Sequence, residues 1–115
     1  MSNNVNSDFY EVEIKCFNKV IAHMSCSVVK DTCNLRDLWV RKLFRNKGVE
    51  ELLMEKLHDY AKDKKLKNII AYCGPEPMNP DGNIPIETEI KFYENHGFKL
   101  DHYVFDIVPC MIKTM

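Results

Sequence analysis

The segment Arg45–Leu53, RNKGVEELL, is a glycine-bearing turn that runs straight into a helical pattern. A strand that stops, turns through glycine and feeds a helix presents unpaired backbone N–H groups at the positive end of the helix dipole. Such a turn is a site for phosphate or pyrophosphate. One glycine alone is weak evidence, because an ordinary strand-to-helix loop with surface Arg and Lys has the same pattern. The last place of the turn holds a carboxylate, Glu50, which suits a helix start and opposes a bound anion.

Downstream, Val49, Leu52, Leu53, Leu57, Tyr60 and Ala61 recur at i, i+3 and i+4, so the spacing predicts an amphipathic helix from Val49 to Lys64. Lys62, Lys64 and Lys65 sit around its last turn, where cations suit the dipole. Upstream, LRDLWV (Leu35–Val40) is a strand. Before it, FYEVEIKCF alternates from Phe9 to Phe17, with Tyr10, Val12, Ile14 and Cys16 on one face and Glu11, Glu13 and Lys15 on the other. Asn18-Lys19 can make a tight turn into VIAHMSCSVVK, and DTCN makes a second, so three strands form an antiparallel meander.

After the helix, KNIIAYC is a fourth strand, and a helical crossover predicts that it runs parallel to its predecessor. Gly74 to Pro85 holds four prolines and two glycines, which breaks regular structure. A short helix from Ile86 to His96 ends at Gly97, and FKLDHYVFDIV closes with a last strand. The expected order is β-β-β-α-β-α-β, an α/β domain with a mixed sheet. Residues 1–8 read as a disordered lead and 9–115 as one domain.

Sixteen Lys+Arg against seventeen Asp+Glu leave a net charge of -1, which gives no field for nucleic acid or membrane partners. No apolar run reaches signal-peptide or transmembrane length. Five cysteines, odd in number and without a C-x-x-C pair, argue for reduced thiols in a cytoplasmic protein and against a metal site. Cys73 and His96 are bland candidates, better explained by burial and by a helix end. The run KDKKLK is a solvated helix end and lacks the interleaved aromatics of a nucleic-acid face.

The pattern V-x-x-x-x-R-x-x-G-x in VRKLFRNKGV, together with FYENHGF, resembles the GNAT superfamily of acetyl-CoA-dependent N-acetyltransferases. FNKVIAHMSCSV is similar to that family's hairpin, with Ala22 where glycine is common. The resemblance covers Phe9 to Val108, in a short form lacking the usual N-terminal strand and two helices. It implies a GNAT-like mixed sheet. It also implies that the backbone of Leu38, Trp39 and Val40 pairs with the pantetheine arm of the co-substrate acetyl-CoA. The amides of Arg45, Asn46, Lys47, Gly48, Val49 and Glu50 would hold the pyrophosphate, with Arg45 and Lys47 adding charge. Tyr93 would be the acid that protonates the departing thiolate.

The acceptor, a primary amine on a protein lysine or a small molecule, must lose a proton to attack directly in a ternary complex. Asp37 is the first candidate base, on the strand face opposite Leu38 and Val40; Glu76 and Glu87 are alternatives. Asp37 could equally be a solvated strand carboxylate, and Tyr93 a core-capping tyrosine. Trp39 shares the face of Asp37 and either lines the acceptor groove or packs under the second helix. Three positions depart from the family pattern. Glu50 stands where a small residue is usual, Ile86 where asparagine is, and Glu89 where another small residue is. The missing cover leaves the groove open or completed by a second chain, as in a homodimer. The other reading is a degenerate module that binds coenzyme A weakly or not at all and acts through protein contacts.

Overall fold

The computed structural model describes residues 9–74, 81 and 84–115, so the 1–8 lead, Glu76 and much of the proline-rich loop lie outside the described residues. β1 (Phe9–Cys16) and β2 (Lys19–Val29) form a hairpin. Its turn is Phe17-Asn18, with φ of 50° and 69°. Two left-handed residues give the turn whose twist matches the flanking strands. The turn therefore falls one residue earlier than Asn18-Lys19, and Lys19 already pairs with Cys16. The second turn is Lys30-Asp31, and β3 runs Thr32–Val40. DTCN is thus mostly strand, because Cys33 pairs with Val28 and is fully buried.

A short 3-10 turn (Lys42–Phe44) leads to α1 (Val49–Asp63), then β4 (Asn68–Tyr72) and α2 (Ile86–Asn95). β4 is parallel to β3, as the crossover predicts. The last segment is a hairpin where one strand was expected: β5 (Lys99–Val104) and β6 (Val108–Thr114). Phe105 and Asp106 both take positive φ, 54° and 58°. This turn has the backbone of an Asn-Gly hairpin without its sequence, so the pattern alone ran on through it. The sheet order is β1-β2-β3-β4-β6-β5. The chain thus adds one strand to the expected order and keeps its class.

Both helices lie on one face of the sheet. Leu53, Met54, Leu57 and Ala61 of α1, and Tyr93 of α2, share one core with Ala22, Met24, Cys26, Ile69 and Met111. Lys113, two residues beyond Met111, contacts both helices: His58 Nε2 within α1 at 2.9 Å and the His96 carbonyl at the end of α2 at 2.7 Å. The thinnest dimension, 22 Å, fits a two-layer molecule. On the other face, among the described residues, no helix packs.

A β-bulge makes this arrangement self-consistent. Ser25 pairs with Asp37 but Cys26 with Leu35, which leaves Arg36 as the extra residue. Strict alternation would send Leu35 to the face of Asp37. The bulge instead places Leu35, Leu38 and Val40 all against α1. Leu57 is fully buried there. Leu57→Ala is expected to cost about 2–5 kcal/mol of stability in denaturant titration. A cost below about 1 kcal/mol would contradict this packing.

Candidate active site

β3 and β4 pair over only four positions, from Thr32↔Asn68 to Leu35↔Ala71, and then part. Beyond that point β4 keeps its partner in β6, with Cys73 N–H donating to the Pro109 carbonyl at 2.9 Å. β3 continues to Val40 with no strand on that side among the described residues. The gap opens into a cleft of about 540 Å³. Leu38, Trp39 and Val40 form one wall, Arg45, Asn46 and Glu50 its end, and Glu87, Lys91 and Phe92 of α2 the other wall. An extended chain laid along β3 would meet backbone groups free to pair, as in strand addition.

The loop that closes the cleft is shaped by two left-handed residues, Asn46 (φ 60°) and Gly48 (φ 90°). A Cβ at Gly48 would meet no atom within 4 Å, so its dihedral and not crowding calls for glycine. Leu52 N–H is bonded to the Gly48 carbonyl at 3.0 Å, so the N–H groups just before it are free of helical partners. Arg45 Nε donates to the Val40 carbonyl at 2.8 Å, which ties the loop to the end of β3. Its Nη2 is buried without a protein partner, as is Oε1 of Glu50. The Glu50 carboxylate folds back on the loop, where Oε2 accepts the Asn46 N–H at 3.3 Å. The chain thus places its own anion on a cradle amide. Three carboxylates (Glu50, Glu51, Glu87) face two cations (Arg45, Lys91) across the cleft.

Of the residues expected at this site, Leu38, Trp39, Val40, Arg45, Asn46 and Glu50 line the cleft. Lys47 is exposed, Gly48 forms the turn, and Val49 packs on the core. Trp39 lines the cleft, and its Nε1 is buried without a protein partner. Glu87 also lines it. Tyr93 is only 4% exposed and packs edge-on against Phe92 and Phe98, while Phe92 takes the cleft wall.

Asp37 lies on the open face within a polar row that spans three strands. Its carboxylate accepts from the Ser25 hydroxyl and pairs with His23 Nδ1 at 2.6 Å. His23 Nε2 in turn meets Glu11 Oε2 at 2.9 Å. Side-chain exposure rises along the row, from 14% at Asp37 and 15% at His23 to 53% at Glu11. Burial alone would lower the His23 pKa, but hydrogen bonds to Glu11 and Asp37 and their charges outweigh it, and the net shift is upward. The His23 ring also lies 5.9 Å from Trp39, so the row begins one side chain from the cleft. Sequence spacing gave no signal for His23. Only the register of β2 on β3 brings it to Asp37, fourteen residues away.

Glu89 was also unmarked as a titrating group. Burial at 6% exposure pushes its carboxyl up to about 7, against the pull of the Gly74 N–H. The unfolded chain would release this proton near the ordinary glutamate value of 4.5, whereas the fold holds it to about 7. The folded state therefore binds more protons across that window. The contribution is full below the window and lost as pH rises through it, by up to ~3 kcal/mol. Glu89→Gln is expected to remove this loss, so the stability of wild type relative to variant should fall from pH 4.5 to pH 7. Parallel stability curves in denaturant titrations would contradict it.

A family model described as an acetyltransferase (GNAT) domain matches residues 6–100. Similar solved structures include the PaiA N-acetyltransferase of Thermoplasma acidophilum in complex with coenzyme A, at 16% identity and a TM-score of 0.76. That match covers 94% of this chain and 62% of the other, so this chain spans less than two thirds of that protein. The ribosomal-protein-S18-alanine N-acetyltransferase of Escherichia coli matches at 17% identity and TM-score 0.70, over 92% of this chain and 68% of its own. The anti-CRISPR protein AcrVA5 matches at 20% and 0.69, over 90% of this chain and 96% of its own. No curated protein sequence matches the chain significantly. At such identities the structures speak for the fold. The family model spans most of the sequence and takes in both the glycine turn and the parted strands: the chain belongs to the GNAT family of acetyltransferases.

Proposed function

We propose that this protein transfers an acetyl group from acetyl-CoA to a primary amine by direct attack in a ternary complex. One observation carries the reading: the unpaired edge of β3 runs directly into the glycine turn at the start of α1, within a single cleft. That continuity suits a ligand with an extended amide-bearing arm and a pyrophosphate. Backbone groups from Asp37 to Val40 would pair with the arm. The loop amides and Arg45 Nη2, which lacks a protein partner, would hold phosphate oxygens. The coenzyme A held by the Thermoplasma relative supports the same assignment.

In the reaction the amine lone pair attacks the thioester carbonyl carbon, the C–S bond breaks, and the thiolate takes a proton. Tyr93 is the proposed donor, which requires its hydroxyl to reach sulfur at the boundary between core and cleft. The base belongs to the Asp37 group on the open face. The acceptor is a primary amine of a protein or a small molecule; the alanine N-acetyltransferase among the structural relatives favours a protein amine.

A second reading, a binding module with weak or no coenzyme A affinity, is favoured by the Glu50 carboxylate on the Asn46 amide. Calorimetric titration with acetyl-CoA separates the two. The enzyme reading expects micromolar binding that Gly48→Pro abolishes, and absent or millimolar binding would select the module.

Glu50→Gln tests the anion conflict. At about 8 Å and an effective dielectric near 20, the repulsion is on the order of 2 kcal/mol. The variant should bind acetyl-CoA about tenfold or more tightly, while the free protein loses about 0.3–1 kcal/mol at the helix start. Unchanged affinity would show that Glu50 turns away from the phosphates on binding.

A further inference from the structure

The reaction releases one proton for each ammonium acetylated, since the amine must be neutral to attack and the amide product carries no charge. That proton has to be carried from the amine to solvent. We propose that His23 is the group that takes it, with Asp37 as the positioning residue and Glu11 as the exit to solvent. This rests on the acyl-transfer reading above.

The geometry follows from the strand register. Glu11 pairs with Ser25 and Ser25 with Asp37, while Glu13 pairs with His23 and His23 with Trp39. The two rows place one imidazole between a shielded carboxylate and a half-exposed one, at 2.6 and 2.9 Å. Carboxylates only accept, so a ring bonded to both donates from both nitrogens and is the imidazolium. This is the state left after a proton has been taken. In the resting state Nδ1–H donates to Asp37, which fixes the tautomer and leaves Nε2 with its lone pair. The ammonium's proton passes to Nε2 across one water at the Trp39 wall. Nε2 then gives it to Glu11 and to bulk water, and the same tautomer is restored without ring rotation.

The charged groups that face His23 are Glu11 and Glu13 from β1 and Asp37 from β3, all acidic. No helix covers this face among the described residues. The surroundings therefore favour the charged ring, in line with its raised pKa. Among the described residues no group of three or more such side chains is arranged to hold a metal ion. Asp37 alone would be a poorer relay, because it is already held by Ser25 and His23 and lies at the shielded end of the row, away from the half-exposed Glu11.

The test follows thiol release from acetyl-CoA with poly-L-lysine and with spermidine across pH, beside acetyl-CoA titration and an NMR titration of the His23 ring. In the wild type, kcat/KM should rise with pH through an inflection above 6.5, the ordinary histidine value, and the ring should titrate there too. His23→Gln should lose that inflection and about a hundredfold in rate, with acetyl-CoA affinity within twofold. Asp37→Asn and Glu11→Gln should each move the inflection and the ring pKa downward. A His23→Gln enzyme that keeps both the inflection and its rate within threefold overturns the assignment, as does a ring that titrates at or below 6.5 in the wild type. Those outcomes with acetyl-CoA binding intact leave the acyl-transfer reading standing. Absent acetyl-CoA binding, or binding with no thiol release on either amine, overturns that reading and this assignment with it.

Discussion

The separation of β3 from β4 after Leu35 and Ala71 is the constraint on which the rest of the molecule depends. Parallel strands joined by a crossover helix would gain hydrogen bonds by pairing further, and here they do not. β4 stays with β6, while β3 is turned at Arg36 by the bulge and is held at its far end by Arg45 Nε on the Val40 carbonyl. The bulge keeps Leu35, Leu38 and Val40 in the core, so the strand can diverge without leaving α1. A row of unpaired backbone groups then lies inside a cleft, where a ligand can complete it.

The electrostatics of that cleft are less settled by the fold than its shape. The loop offers free amides and a buried guanidinium nitrogen, which suit an anion, yet Glu50 already sits on one amide and carboxylates outnumber cations. A carboxylate at the start of α1 stabilises the free protein. It also sets a threshold that an incoming pyrophosphate must exceed. Stability of the helix start and affinity for the ligand therefore pull on the same side chain in opposite directions.

Much of the fold was legible because its signals are local. The change from period two to period three-and-a-half at Val49, the loop prolines, and the glycines at the start of α1 (Gly48) and the end of α2 (Gly97) located α1, α2 and the parallel strand. The hairpin turns were harder to place because they use left-handed residues other than glycine: Asn18 and Asp31 marked the first two to within a residue or two, whereas Phe105-Asp106 carries no turn signature and was missed. The glycine turn and the wall residues Leu38, Trp39 and Val40 were readable because they are contiguous. His23 and Glu89 were not. Their chemistry comes from strand register and from burial against Gly74, and neither is encoded in spacing along the chain.

The central claim is that the edge of β3 and the glycine turn form one continuous ligand surface. Hydrogen–deuterium exchange with and without acetyl-CoA tests it most directly. The account predicts slowed exchange in the segments 36–40 and 46–51 together, with the pairing between β1 and β2 unchanged. Protection absent from both segments, or confined to some other part of the chain, would contradict it.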